Sequence, residues 1–91
     1  MKTAVVDFTG AKYCYDLHMI LMESLELPDF YGMNADALWD CLTGMIETPI
    51  SVKIKGFDSL PKDLDREKSI IKSTFLDAQH DGFGVYVTFE D

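Results

Sequence analysis

Basic residues are scarce in this chain: 8 lysines and arginines stand against 16 aspartates and glutamates, for a net charge of -8. Such a surface repels nucleic acid and anionic membrane and favours basic partners. Cysteine is almost missing, and Cys14 and Cys41 form no CxxC or Cys/His spacing, so no metal site is expected. Long apolar runs are missing as well. The N-terminal MKTAVVDF meets Asp7 after a run too short for a signal-peptide core or a membrane span, which predicts a cytoplasmic protein. Gly32 and Gly44 occur singly and not in a glycine-rich turn after a strand, so no phosphate cradle and no cofactor are expected.

What is present describes a globular chain. Hydrophobic residues make up 47 % and aromatics 12 %, with few glycines or prolines, a composition unlike that of disordered segments. Its 91 residues leave room for one domain, spanning 1–91.

Thr3 to Val6 is a short β-branched run that reads as a buried strand. From Tyr15 to about Leu27, the residues Leu17, Ile20, Leu21, Ser24 and Leu25 keep helical spacing, and Pro28 stops the run. Tyr15, Met19 and Met22 add a second apolar stripe, expected to lie beneath another element, with an exposed patch as the alternative. After a loop carrying Phe30 and Tyr31, Asn34 is the expected N-cap of a helix from Ala35 to about Thr43, with Gly44 as its stop. Ile50, Val52 and Ile54 alternate with Ser51 and Lys53, which reads as an edge strand or a half-covered face. A turn with a short helix around Asp58 to Lys62 is expected next. A longer helix from about Asp65 to His80 follows, with Leu64, Ile71, Phe75 and Ala78 on its apolar face and Gly82 after its end. The last strand, Gly84 to Phe89, alternates Val85, Val87 and Phe89 with Tyr86 and Thr88 and uses β-formers throughout. Helical crossovers between successive strands favour a parallel pairing. The predicted class is therefore α/β, a three-stranded parallel sheet packed against helices, with strand order left open.

The stretch FYGMNADALWDCLTG, Phe30 to Gly44, concentrates the chemistry. At about 100° per residue, Leu38, Cys41, Leu42 and Met45 fall on one stripe, which reads as core. Asp36, Trp39, Asp40 and Thr43 repeat the spacing on the opposite side, expected to face water. Two carboxylates can serve as acid and base in a hydrolase, but such pairs come from separate elements around a cleft, and these share one short helix. No calcium loop or histidine partner accompanies them. His18 and His80 stand on different helices and read as structural or surface histidines. The chain's one tryptophan gains nothing for folding on a wet face, whereas an aromatic set among charges is the composition of a protein-binding hot spot. Phe30 and Tyr31 upstream and Glu47 downstream flank this face.

The same run resembles the barstar family, intracellular inhibitors of barnase-type ribonucleases. YGxNxDALWDCLTG keeps the cap, both helix faces and the glycine in register, DLH at Asp16 to His18 and LP at Leu27 and Pro28 also match, and the likeness covers nearly all of the chain. The resemblance implies a parallel three-stranded sheet with flanking helices, no catalytic activity, and one-to-one inhibition of a basic, guanyl-specific extracellular ribonuclease by a chain that is monomeric when free. It implies that Asp40 enters the enzyme's basic pocket as a phosphate mimic, with Asp36 and Trp39 beside it. Asn34 keeps the family's cap, Thr43 and Gly44 would close the helix end against the enzyme, and Asp77 matches a family glutamate. Departures are equally plain. Phe30 replaces a family tyrosine, Met33 a glutamate and Met45 a tryptophan, and Asp77 is one methylene shorter than its counterpart. The competing reading is a barstar-like adaptor or immunity protein that binds a basic partner other than a ribonuclease.

Overall fold

The computed structural model describes residues 1–90. Strand β1 (Lys2–Asp7) is followed by helices α1 (Cys14–Ser24) and α2 (Ala35–Gly44), strand β2 (Ile50–Lys55), a 3₁₀ turn at Lys62–Leu64, helix α3 (Asp65–His80) and strand β3 (Val85–Glu90). The three strands pair in parallel in the order β1-β2-β3, and the register aligns Val6 with Ile54 and Ile54 with Phe89. The result is the α/β architecture expected from the alternation of strands and helices.

Sequential order has a geometric consequence. When parallel neighbours are joined by crossovers of one hand, all the helices fall on one face of the sheet. Burial agrees: Ala4 and Val6, Ile50, Val52 and Ile54, and Val85 are buried, while the alternate residues Val5, Lys53 and Thr88 are exposed. Parallel sheets are usually covered on both faces and read as continuous apolar runs. Here only one face is covered, so every strand alternates. The alternation in β2 therefore marks the half-covered face, and the edge reading is overturned, because β2 is the central strand.

Helices α1 and α3 pack on the sheet and α2 packs on α3, closing a core that includes Phe8, Leu17, Leu21, Leu38, Leu42, Phe75 and Val85. Helix α1 starts with the Asp16 carboxylate accepting from the amides of Lys12 and Tyr13, both at 3.0 Å, which satisfies donors that have no partner in a first turn. It ends earlier than expected. Glu26 adopts φ +54° and the Leu27 N–H donates back to the Met22 carbonyl at 2.9 Å, so a left-handed residue reverses the chain before Pro28 is reached. The reversal places Leu27 in the core. Of the second stripe, Met19 and Met22 are half-buried and Tyr15 is exposed. The short helix expected around Asp58 to Lys62 is instead the 3₁₀ turn at Lys62–Leu64. Helix α3 spans the expected residues, with Ile71, Phe75 and Ala78 buried. The Thr48-Pro49 peptide is cis.

Candidate functional site

Helix α2 is set by its first turn. Asn34 is extended at φ -148°, and its side chain accepts from the Ala37 N–H at 2.8 Å while donating to the Gly32 carbonyl at 3.0 Å. Gly32 passes close to this turn: a Cβ there would meet the Ala37 Cβ at 3.3 Å, tighter than ordinary contact. Removing the cap acceptor in Asn34→Ala is expected to cost about 1 kcal/mol of stability. A chemical-denaturation midpoint unchanged by the substitution would show that the cap contributes nothing.

One stripe of α2 is buried, through Leu38, Cys41 and Leu42. Met45 was expected to continue it and does not. It is 52 % exposed, just past the helix end, with its sulfur 3.9 Å from the Cys41 thiol. Gly44 is not the left-handed stop that the sequence predicts: it is the last helical residue, and the glycines with positive φ are Gly10, Gly56, Gly82 and Gly84. The amides of Met45 and Ile46 both donate to the Cys41 carbonyl, which ends the helix without a reversal. Burial pushes the Cys41 thiol above its ordinary range, and the charge of Asp40 adds to this; burial and then Glu67 do the same for Cys14. Both thiols are thus kept protonated, the state of structural cysteines.

The outward stripe is where composition placed it, with one difference. Asp36 and Asp40 are exposed, but Trp39 is half-buried. Its indole meets the Phe83 ring edge-on, with centroids 5.7 Å apart and planes at 80°. Thr43 donates its hydroxyl to the Trp39 carbonyl at 2.8 Å, an intrahelical bond that restrains its rotamer. Beside Asp40 lies a recess of about 200 Å³ lined by Phe30, Tyr31, Gly32, Ala37, Asp40, Cys41 and Met45. Phe30 is 75 % exposed at its rim. Glu47 and Asp77 are exposed on other segments, past α2 and on α3, and line no part of this recess.

Tyr31 departs from the expectation of an exposed contact. It is 6 % exposed, and its hydroxyl lies 2.7 Å from Nδ1 of the buried His18. The pair ties the loop that carries Phe30 to helix α1. Burial raises the Tyr31 hydroxyl pKa, with the Cys41 and Cys14 thiols adding to the effect, so the phenol stays protonated, and the imidazole tautomer sets which of the two groups donates. Burial also holds His18 below its ordinary pKa of 6.5. The unfolded chain therefore takes up this proton first, so the stability that the neutral imidazole contributes is full above pH 6.5 and is lost as pH falls through that value towards the folded pKa. Between about pH 7 and pH 5, the urea midpoint of the natural chain should fall more steeply than that of His18→Gln. Equal slopes would contradict the assignment.

Among the described residues the ion pairs are Lys2–Glu26 and Lys68–Asp58, so neither Asp36 nor Asp40 has a cation of its own. Unpaired carboxylates around an aromatic, on a helix whose opposite face is buried in the core, place the chain in the class of α/β domains with an exposed acidic helix face. Sequence reasoning missed Phe83 and the burial of Tyr31. The signal for Phe83 was an aromatic between two glycines directly after a helix end.

Comparison with known proteins gives this class a family. The model of the family described as "Barstar (barnase inhibitor)" matches residues 1–90, and the chain belongs to that family. A Bacillus subtilis (strain 168) protein named "Putative ribonuclease inhibitor YrdF" is 40 % identical over 58 residues, a stretch that covers 64 % of this chain and 64 % of the relative. No described helix is long and apolar enough to cross a membrane.

Proposed function

We propose that the chain is a cytoplasmic inhibitor of a basic, guanyl-specific ribonuclease of the barnase type, without enzymatic activity of its own. It binds one to one and covers the active site with the segment from Phe30 to Gly44. The observation that carries this reading is the pairing of an unpaired Asp40 with the recess beside it on a helix fixed to the core. A nuclease must hold phosphate with cationic side chains, and a carboxylate on a rigid support meets the same groups with charge-assisted hydrogen bonds. Family membership and the relative's printed name support the same reading. Asp36 adds charge at the helix N-terminus and Trp39 supplies apolar contact area. Tyr31 and Asn34 act from behind, one through His18 and the other as the cap, by shaping the loop and the first turn. Thr43 and Gly44 lie at the far end of the face, and Glu47 and Asp77 extend the negative field around it.

Competition tests the proposal. If the face covers the active site, a guanosine monophosphate bound to the nuclease and this chain must exclude one another. In a calorimetric titration, the apparent dissociation constant of the complex should rise linearly with nucleotide concentration, in proportion to the ratio of that concentration to the nucleotide's own dissociation constant. Simultaneous binding of both would place the contact away from the active site and overturn the proposal.

A further inference from the structure

We propose that Phe83 is a positioning residue of the binding face, acting through Trp39. This rests on the inhibitor reading of α2 given above. Trp39 stands between Asp36 and Asp40 on the outward stripe, and most of its surface is covered. Its described ring partner is Phe83, met edge-on at 5.7 Å and 80°, the arrangement in which the positive ring edge of one aromatic meets the negative face of the other.

Phe83 is itself held from both sides. Its N–H donates to the Ala78 carbonyl at 3.2 Å, and the N–H of Gly82 donates to the carbonyl of Gln79 at 3.2 Å, so the turn is fastened to the last turn of α3. Gly82 and Gly84 have φ of +83° and +80°, a backbone path open to glycine and strained for other residues. Gly84 also passes close to the turn before β2, where an added Cβ would meet the Thr48 Cβ at 3.2 Å, and its carbonyl accepts from Ile50 at 2.9 Å. The ring is thus presented by a turn anchored to α3 and to the central strand. It remains 39 % exposed and so lies at the surface beside Trp39.

The role is mechanical. An indole on an exposed helix stripe can rotate about two side-chain bonds, and each immobilised side chain costs binding free energy at an interface. Packed against Phe83, Trp39 is already ordered before a partner arrives. Phe83 also joins α2 to the α3–β3 turn, so that Asp40 and the acidic end of α3, Asp77 and Asp81, are held in fixed relation.

The chain has one tryptophan, so its emission reports on Trp39 alone. Phe83→Ala should increase acrylamide quenching of the free protein and weaken binding of a barnase-type ribonuclease about two- to twelvefold, the cost of immobilising one side chain at an interface converted at tenfold per 1.4 kcal/mol. Phe83→Tyr should restore both readouts. In a Trp39→Ala background, Phe83→Ala should change affinity by less than about twofold, because its effect runs through the indole. If Phe83→Ala does not fold, Phe83→Leu is read in its place with the same expected directions. Unchanged quenching, or an equal loss of affinity with and without Trp39, overturns the proposal. Failure of the natural chain to bind any such nuclease overturns the inhibitor reading instead, and the quenching measurement then decides alone whether Phe83 holds Trp39.

Discussion

Asp40→Ala is expected to weaken the complex with a barnase-type ribonuclease by roughly 2–5 kcal/mol or more, expressed mainly as faster dissociation. That range is typical of truncating one partner of a buried, hydrogen-bonded charge pair at a protein interface. The direction does follow from the structure. Asp40 is exposed and has no ion-pair partner among the described residues, and it stands on a helix that cannot retreat, since Leu38, Cys41 and Leu42 are buried beneath it. Once the partner covers it, its counter-charge must come from the partner. Removing it leaves the partner's cations desolvated and unpaired, which costs more than the lost attraction alone. Asp36→Ala should cost less, because a carboxylate nearer the rim keeps water and is screened by salt. Dissociation rates by surface plasmon resonance distinguish the two. A loss below about 1 kcal/mol for Asp40→Ala would put the centre of the interface elsewhere.

The second large effect concerns the support under the face. Leu38→Ala should lower folding stability by about 2–5 kcal/mol, through lost transfer free energy and the cavity left behind. Leu38 is fully buried, and it faces the core from the middle of α2. Against a total stability of roughly 5–15 kcal/mol for a domain of this kind, that is a large fraction. Leu38→Met, which conserves volume, should cost less than about 1.5 kcal/mol. Urea denaturation measures both. Equal midpoints for Leu38→Ala and the natural chain would mean that α2 is not locked to the core, and the argument for a rigid face would fail with it.

The parts of this molecule that were legible in the sequence are those fixed by local chemistry. Asn34 needed only its own side chain and the Ala37 amide to be an N-cap. The apolar spacing of α3 and the alternation in β3 needed only a periodicity. Other features depend on what the chain meets in space. Tyr31 looks like a loop aromatic available to a partner, and it is buried because His18, thirteen residues away, supplies a partner for its hydroxyl. Gly44 resembles a helix stop, but the chain beyond α2 continues without a left-handed reversal, so the glycine keeps helical geometry. β2 alternates because one face of the whole sheet is open, a property of strand order that no single strand records.

The candidate site divides in the same way. Asp36, Trp39 and Asp40 could be placed on one outward stripe from helical spacing alone, and the structure keeps them there. That Trp39 is half-covered, and by Phe83, depends on a contact between residues far apart in sequence. Met45, which the helical spacing assigns to the core stripe, is exposed beside the recess and so within reach of a partner. Phe30 stands at the rim of the same recess.

The central claim, that this acidic face closes a ribonuclease active site, is tested most directly by titrating a fixed amount of a guanyl-specific, barnase-type ribonuclease with the chain and following RNA cleavage. The account predicts a linear fall in activity with a break at one chain per enzyme, and a shallow, incomplete curve for Asp40→Ala. Undiminished cleavage at a micromolar excess of the natural chain, across several nucleases of this class, would contradict it.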